Sequence, residues 1–486
     1  MKTLKELISS IAGLKVYGNQ DLAVPAIRLD SRKAGPGDLF IAQKGSSSDG
    51  HQYIASVIEA GASVIVCEEL PESLNPAVTY LQSSNSHEVA GLLASSFYDH
   101  PSTKLKLIGV TGTNGKTTTA SLLYRLFSNL GYHCGLLSTV NYIIGEKSFV
   151  STHTTPDALR LNELLAEMVE SGCDYCFMEV SSHAIHQSRI AGLQFDGAIF
   201  TNITHDHLDY HNTFQEYIRV KKSWFDQLPA SAFSIINTDD KNGQIMVQNT
   251  KSSVYRYALK TDADFKGKIL EMLPTGMQLQ INGKEVWVRL IGAFNASNLL
   301  AVHAATVLLG VPEDDSLREI SQLSSVDGRF EAIQSPKGIV AIVDYAHTPD
   351  ALENVLKTIA EIQVGKGRII TVFGAGGDRD RTKRPEMAQV VSRFSNRIII
   401  TSDNPRSEQP ADILQEIRIG ISAEQVKNTL MIEDRREAIR TACMLAENGD
   451  IILIAGKGHE NYQEIKGIKH HFDDKEEVKN AFDELI

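Results

Sequence analysis

Lys116 closes a loop spaced by Gly109, Gly112 and Gly115, and Thr117, Thr118 and Thr119 follow it directly. A short apolar run, residues 105–110, reads as a buried strand before the loop, and ASLLYRLFSNLG after it has apolar residues at helical spacing and a glycine stop. Strand, glycine loop, Lys-Thr and helix form a phosphate cradle. Backbone N–H groups and the helix N-terminus face an anion, Lys116 neutralises phosphate oxygens, and Thr117 can hold Mg²⁺. Five residues separate Gly109 from Gly115 where the common pattern has four. A chance glycine turn is the alternative, and the flanking strand and helix make nucleotide binding the stronger reading.

Two further stretches carry candidate metal chemistry. In CDYCFMEVSSHA a strand ends on Glu179, ahead of Ser181, Ser182 and His183. A carboxylate at a strand's C-terminal end, downstream of a phosphate loop, is placed to ligate Mg²⁺ or a water. THDHLDYH packs three histidines and two aspartates into residues 205–211, with His207 the first candidate ligand. Zinc would ordinarily recruit a further distant His or Cys, so the phosphate loop favours Mg²⁺, while a purely structural histidine turn stays open. Lys221 and Lys222 follow on the next helix and by composition alone are surface charges. Cys173 and Cys176 form a CxxC, but no second ligand pair accompanies it, so core filling is expected. Thr152, Thr154 and Thr155 precede the helix DALRLNELLAEM and could cap it. Asn295 and Asn298, three apart, share a helix face and could bind a base or simply cap. Arg329 sits in the sharp turn Asp327-Gly328-Arg329-Phe330.

These residues need elements to hold them. At 486 residues the chain is long for one core, and we expect three α/β domains: residues 1–104, a central unit 105–333, and 334–486. The first alternates short strands and helices; Ser31, Arg32 and Lys33 could meet an anion there or form a solvated turn. Residues 250–290 read as β-rich, with a hairpin at Asn282-Gly283. From residue 334 the pattern of apolar strand, polar loop and helix restarts. That predicts a mostly parallel, doubly wound sheet with functional loops at the strand C-termini. Asp344, His347, Arg379, Arg381, Arg384, Asp403, Arg406, Lys457, His459 and Glu460 recur at that end. GAGG at residues 374–377 lacks dinucleotide spacing, which argues against a nicotinamide cofactor.

Composition bounds the partners. The net charge of −12 disfavours generic attraction to nucleic acid or membrane surfaces. No apolar run approaches a membrane span and no signal peptide is evident. Five cysteines, an odd number in a long chain, fit a reducing cytoplasm.

Taken in order, LDSR, GDLF, GVTGTNGKTTT, TTPD, EVSSHA, TNITHDHLDYH, GAFNASN, DGRFE, DYAHTPD, GGDRD, DNPR and GKGHE resemble the Mur ligases of peptidoglycan synthesis, and the five-residue glycine spacing is that family's own form. The resemblance spans the whole chain and is nearest to the members that add meso-diaminopimelate. It implies an ATP-dependent amide ligase acting in cell wall biogenesis, and so in cell shape and division, as a cytoplasmic monomer working on small molecules. It implies that residues 112–118 (Gly112, Thr113, Asn114, Gly115, Lys116, Thr117, Thr118) hold the ATP phosphates, with Asn295, Asn298, Arg329, Asp344 and His347 on the nucleotide side. Thr117 and Glu179 would bind one Mg²⁺. His207 and Lys221 would bind a second, the lysine carbamylated by CO₂; Lys221 aligns through Tyr217 and Phe225, four residues to either side. The UDP-muramyl dipeptide would lie along Leu29, Ser31, Thr154, Thr155, Ser181, Gln187 and Arg189; position 153 is His where some relatives carry Asn. Diaminopimelate would meet Arg379, Asp403, Asn404, Pro405, Arg406, Gly456 and Glu460. Lysine-adding relatives lack an arginine at the place of Arg406, which favours diaminopimelate over lysine. The D-glutamate carboxylate would be activated as an acyl phosphate and then attacked by the amine. Rivals are a related amide ligase such as folylpolyglutamate synthase, a nucleotide-driven switch or transporter ATPase, and a non-catalytic binding protein. DNPR and the LDSR–GDLF region speak against the first, and the Lys116, Glu179, His207 and Lys221 set against the last.

Overall fold

A computed structural model describes residues 2–45, 48–151, 153–204, 206, 208–211, 213–363, 365 and 367–484. Three sheets of five, eleven and six strands follow one another along the chain. The first orders its strands Lys15–Tyr17, Thr79–Gln82, Val64–Cys67, Leu39–Ile41 and Ile27–Arg28, parallel except for the Lys15–Tyr17 edge.

In the central sheet, strand Lys106–Thr111 lies between Tyr175–Glu179 and Gly197–Phe200, parallel to both. Their apolar runs are continuous because both faces of the sheet are covered. Successive residues feed opposite cores. Ile108, Val110, Phe177 and Ile199 pack with helices Lys116–Asn129 and Ala293–Leu308, whereas Leu107, Cys176, Met178, Ala198 and Phe200 pack with helices Ala158–Glu170 and Phe214–Asp226. The far end of the sheet is an antiparallel extension, and its hairpin between Gly276–Ile281 and Lys284–Val288 turns on Asn282 and Gly283, both at positive φ as the Asn-Gly pair requires.

The third sheet runs Glu331–Gln334, Val340–Asp344, Ile451–Ala455, Ile369–Phe373, Arg397–Ile400 and Thr429–Met431. Only Glu331–Gln334 is antiparallel. Its loops at residues 345–348, 374–382, 401–409 and 456–461 all leave from strand C-termini, which brings the charged residues to one end. Cys173 lies just before strand Tyr175–Glu179 and Cys176 within it; all five cysteines are free and buried. Among the described residues no helix is long and apolar enough to cross a membrane.

Candidate functional site

The phosphate loop leaves the C-terminal end of strand Lys106–Thr111 and enters helix Lys116–Asn129. Gly112 has φ +152°, and a Cβ there would collide with Thr201 Oγ1, so only glycine lets the loop pass this close to the neighbouring strand end. Lys116 turns back over its own loop, donating to Gly112 O (2.9 Å) and Thr113 O (2.7 Å). Lys221, which is buried where Lys116 is half-buried, reaches the same carbonyl: Nζ donates to Gly112 O (3.1 Å) and Thr111 Oγ1 (3.3 Å), and lies 4.8 Å from the Tyr217 ring centroid. Burial, and for Lys221 the nearby Lys116 charge, pushes both ammonium pKa values down, Lys221 far below the ordinary lysine range. Lys222, its neighbour, pairs instead with Asp226 (2.7 Å), the ordinary fate of a surface lysine at i, i+4.

Glu179 is fully buried. Its Oε1 accepts from Thr139 N (2.6 Å), and its Oε2 has no protein partner among the described residues. A buried carboxylate oxygen without a donor is costly, and here it lines a cavity of about 750 Å³. That cavity is walled by Thr113, Asn114, Gly115, Lys116, Thr117 and Thr118, by Lys221, and by Thr154, Thr155, Ser181 and Arg189. Asn298, Arg329, Asp344, His347 and Arg379 also line it, so central and C-terminal elements share one space.

The polar loops are tied together. Thr155 Oγ1 donates to Glu179 O (2.9 Å) and accepts from Ser181 N (3.2 Å). Arg189 donates to Thr155 O (2.7 Å) and grips Gln187 Oε1 through Nε and Nη2 (3.0 and 2.7 Å); Gln187 in turn donates to Tyr210 Oη (3.0 Å). Thr154 and Thr155 therefore face the site instead of capping the helix, and Thr152 lies outside the described residues. The cap is Asp157, whose carboxylate takes Leu159 N and Arg160 N.

Across the cavity, Arg329 donates to Thr117 Oγ1 (3.2 Å) and stacks on Tyr345, its guanidinium carbon 4.4 Å from the ring centroid. Asp344 accepts from Phe330 N and Ala346 N, each at 2.7 Å, which fixes the Arg329 turn; burial pushes its carboxyl pKa up. His347 Nδ1 bonds Tyr345 O (2.7 Å). Asp350, which the sequence reading passed over, accepts from Asn114 Nδ2 (2.8 Å) and Thr204 Oγ1 (3.3 Å), and Lys383 pairs with Asp206 (2.5 Å). Asp350 reads in sequence as an acid in the first turn of a helix, and only the packing of two domains gives it another partner. The acid-starting helix after Pro349 was its one visible signal.

Other expected residues lie off the cavity wall. Asn295 donates back to Ile291 O (2.8 Å) and is consumed by its own helix start, so of the pair only Asn298 faces the site. Leu29 packs on the N-terminal core, and Ser31 opens a short 3₁₀ turn capped by Asp30. Arg384 is buried between Glu408 and Glu416 (2.8 and 2.6 Å), a structural pair rather than a loop charge. Behind Arg379, Asn404 donates to Glu460 Oε2 (2.8 Å), Pro405 O accepts from Glu408 N (3.0 Å), and Gly456 lies against the Asp403 carboxylate. Arg406 adopts φ +50°, held by N–H to Glu464 O (3.1 Å) and by Lys466 N to its own carbonyl (2.7 Å); its Nη1 donates to Gly377 O (2.6 Å). His207 lies outside the described residues. Among the described residues no group of His, Cys, Asp and Glu forms an all-protein metal cage. Glu179 Oε2, the Thr117 hydroxyl and Lys221, whose charged form burial disfavours, suit a hard cation that completes its shell from phosphate and water.

Three family models match in chain order: "Mur ligase family, catalytic domain" over residues 24–98, "Mur ligase middle domain" over 110–306, and "Mur ligase, glutamate ligase domain" over 328–458. The UDP-N-acetylmuramoyl-L-alanyl-D-glutamate–2,6-diaminopimelate ligase of Bacteroides fragilis is 56% identical over 479 residues, 99% of each chain. A solved structure of a ligase of that name, 31% identical, superposes with a TM-score of 0.70 over 100% of this chain and 99% of its own. The MurF ligase of Thermotoga maritima, solved with ADP, shares the fold at 17% identity and a TM-score of 0.61, covering 94% of this chain and 97% of its own. With the glycine loop, the three sheets and a relative alike from end to end, this chain belongs to the Mur ligase family.

Proposed function

We propose that the chain is an ATP-dependent ligase that joins meso-diaminopimelate to the D-glutamate of UDP-N-acetylmuramoyl-L-alanyl-D-glutamate, forming a peptidoglycan precursor. The carrying observation is the shared cavity: the half-buried Lys116 and the buried Lys221, neither with a carboxylate partner among the described residues, and a buried carboxylate with one oxygen unpartnered among them, facing the third domain. The units that do this work are taken as 1–104 for the UDP-sugar, 105–333 for ATP and 334–486 for the amino acid, with strand Glu331–Gln334 belonging to the third sheet. We take the enzyme to be a cytoplasmic monomer without membrane or nucleic-acid partners; its five free, buried cysteines suit a reducing compartment.

Residues 112–118 hold the triphosphate, with Lys116 over its phosphates and Arg329, Asp344, His347 and Asn298 toward the nucleoside. Asn295, its amide engaged by Ile291 O, shapes the helix behind Asn298. Thr117 and Glu179 are the residues for one Mg²⁺, and His207 with a carbamylated Lys221 for a second. Bound Mg²⁺ would supply positive charge between two anionic reactants. Burial disfavours the ammonium form of Lys221 and so favours the neutral amine, the form that can add CO₂ to give a bidentate anionic ligand. Arg189, fixed by Thr155 and Gln187, faces the acceptor beside Thr154 and Ser181, while Leu29 and Ser31 hold its uridine end.

The acceptor carboxylate attacks the γ-phosphorus, ADP leaves, and an acyl phosphate remains. The neutral amine attacks the acyl carbon, phosphate leaves with the C–O bond electrons, and the amide forms with loss of a proton. Positioning supplies most of the acceleration. Docking of the third domain through Asp350 and Lys383 excludes water from the acyl phosphate. Arg406, whose Nε lies 3.6 Å from Glu464 Oε2, would grip the second carboxylate of diaminopimelate in a bidentate pair; L-lysine would leave it only that long contact and the Gly377 carbonyl, and so would bind more weakly. The decisive test is ADP release with the UDP-muramyl dipeptide and either meso-diaminopimelate or L-lysine. The reading requires release dependent on dipeptide and diaminopimelate together, and fails if ATP turnover ignores both.

A further inference from the structure

Lys457 is a wholly buried cation with no part in the reaction above. It follows strand Ile451–Ala455, and its side chain is 0% exposed. Its Nζ lies 3.2 Å from Asn404 Oδ1, 3.1 Å from Glu460 Oε2 and 5.5 Å from the centroid of the Tyr462 ring. A buried ammonium must find such partners, and in doing so it dictates how they point. Asn404 Oδ1 accepts from both Lys457 and Glu464 N (2.9 Å), so its NH₂ must face the other way, toward Glu460 Oε2 (2.8 Å). Glu460 Oε2 thereby takes two donors, while Oε1 has no protein partner among the described residues.

We infer that Lys457 is a positioning residue for amino-acid choice: by holding Asn404 and one oxygen of Glu460, it leaves a single carboxylate oxygen open to the ammonium group of a diamino acid. The inference rests on the proposed assignment of these loops to the amino-acid substrate. Without Lys457, Asn404 loses one of the contacts that orient its amide. Glu460 is left with one donor and free to swing, and the open oxygen is no longer held in place.

The test compares meso-diaminopimelate with 2-aminopimelate, which lacks the far amine, in the wild type, Lys457→Met and Lys457→Arg. In Lys457→Met the KM for diaminopimelate should rise at least tenfold with the KM for ATP within twofold. The preference for diaminopimelate over 2-aminopimelate, as a ratio of kcat/KM, should shrink at least tenfold. Lys457→Arg should restore most of that ratio. A merely structural role would lower activity on both amino acids alike. A ratio unchanged within twofold, or raised, overturns the inference. Should the methionine variant fail to unfold cooperatively on heating, Lys457→Gln, which keeps a donor group without the charge, decides by the same ratio. A wild type that ignores diaminopimelate would instead overturn the substrate assignment itself.

Discussion

In the central domain Lys116 and Lys221 are held by a shared backbone carbonyl, a second carbonyl and a hydroxyl; in the C-terminal domain Lys457, Arg384 and Arg435 are held by carboxylates. Arg435 and Asp474 are each 0% exposed and only 2.7 Å apart. Both arrangements bury cations, yet they answer the cost of burial differently. Carbonyl dipoles satisfy hydrogen bonds without cancelling charge, so the charge on Lys116 stays uncancelled where an anion can bind, while burial disfavours the charged form of Lys221. The C-terminal pairs cancel their charge and leave fixed shape. One region is built to attract, the other to discriminate.

Breaking the attracting side should cost most. Lys116→Ala removes the cation nearest the phosphates, and ADP formation should fall about a thousandfold with little loss of thermal stability. An unchanged rate would mean that Lys116 serves only to close its own loop. Lys221→Ala should cost about a hundredfold, with partial recovery on adding short carboxylates that replace the lost anionic ligand. Full activity without rescue would reject its metal-ligand role. On the discriminating side the effect is smaller and appears in binding: Arg406→Lys should raise the KM for diaminopimelate about tenfold, leaving that for ATP nearly untouched, because a point charge cannot reproduce a bidentate grip. Equal changes in both constants would show that Arg406 merely holds the loop through Gly377.

What the sequence made legible follows the same division. Strands, the glycine loop and the charged strand ends could be read because period and spacing are local properties, and the packing of Ile108 and Leu107 into opposite cores is their direct consequence. Asn295 and Asn298 share a helix face in sequence, but their spacing does not say which of the two reaches the cavity; the carbonyl of Ile291 takes one of them. Thr155 had the chemistry of a cap and lost the place to Asp157, one residue before the first helical turn. Asp350 and Lys457 were harder still, since each is defined by a partner more than fifty residues away. Long-range pairing of this kind leaves no periodic trace.

The smallest effect tests whether each region also shields a neutral base. His211 in the central domain is held near a pKa of about 4 by burial, with His183, His186 and Lys221 adding like charge, and neither ring nitrogen has a protein partner among the described residues. His459 in the C-terminal domain is lowered by burial and by Arg329 to about 3, its ring 5.0 Å from that of Tyr345. An unfolded histidine titrates near 6.5, so between that pH and the folded value the unfolded chain binds the extra proton. Stability contributed by each neutral ring is therefore complete above about pH 6.5 and is lost as the pH falls toward 4 for His211 and toward 3 for His459. The slope is about 1 kcal/mol per pH unit for each histidine. Urea unfolding at pH 7, 6 and 5 should show this decline, and His211→Asn or His459→Asn should each flatten it by one histidine's share. If the asparagine at 211 flattens the curve while that at 459 does not, the imidazole at 459 takes up its proton at the same pH in the fold as in the unfolded chain, and below about pH 6.5 the C-terminal site carries one more positive charge than its paired carboxylates account for.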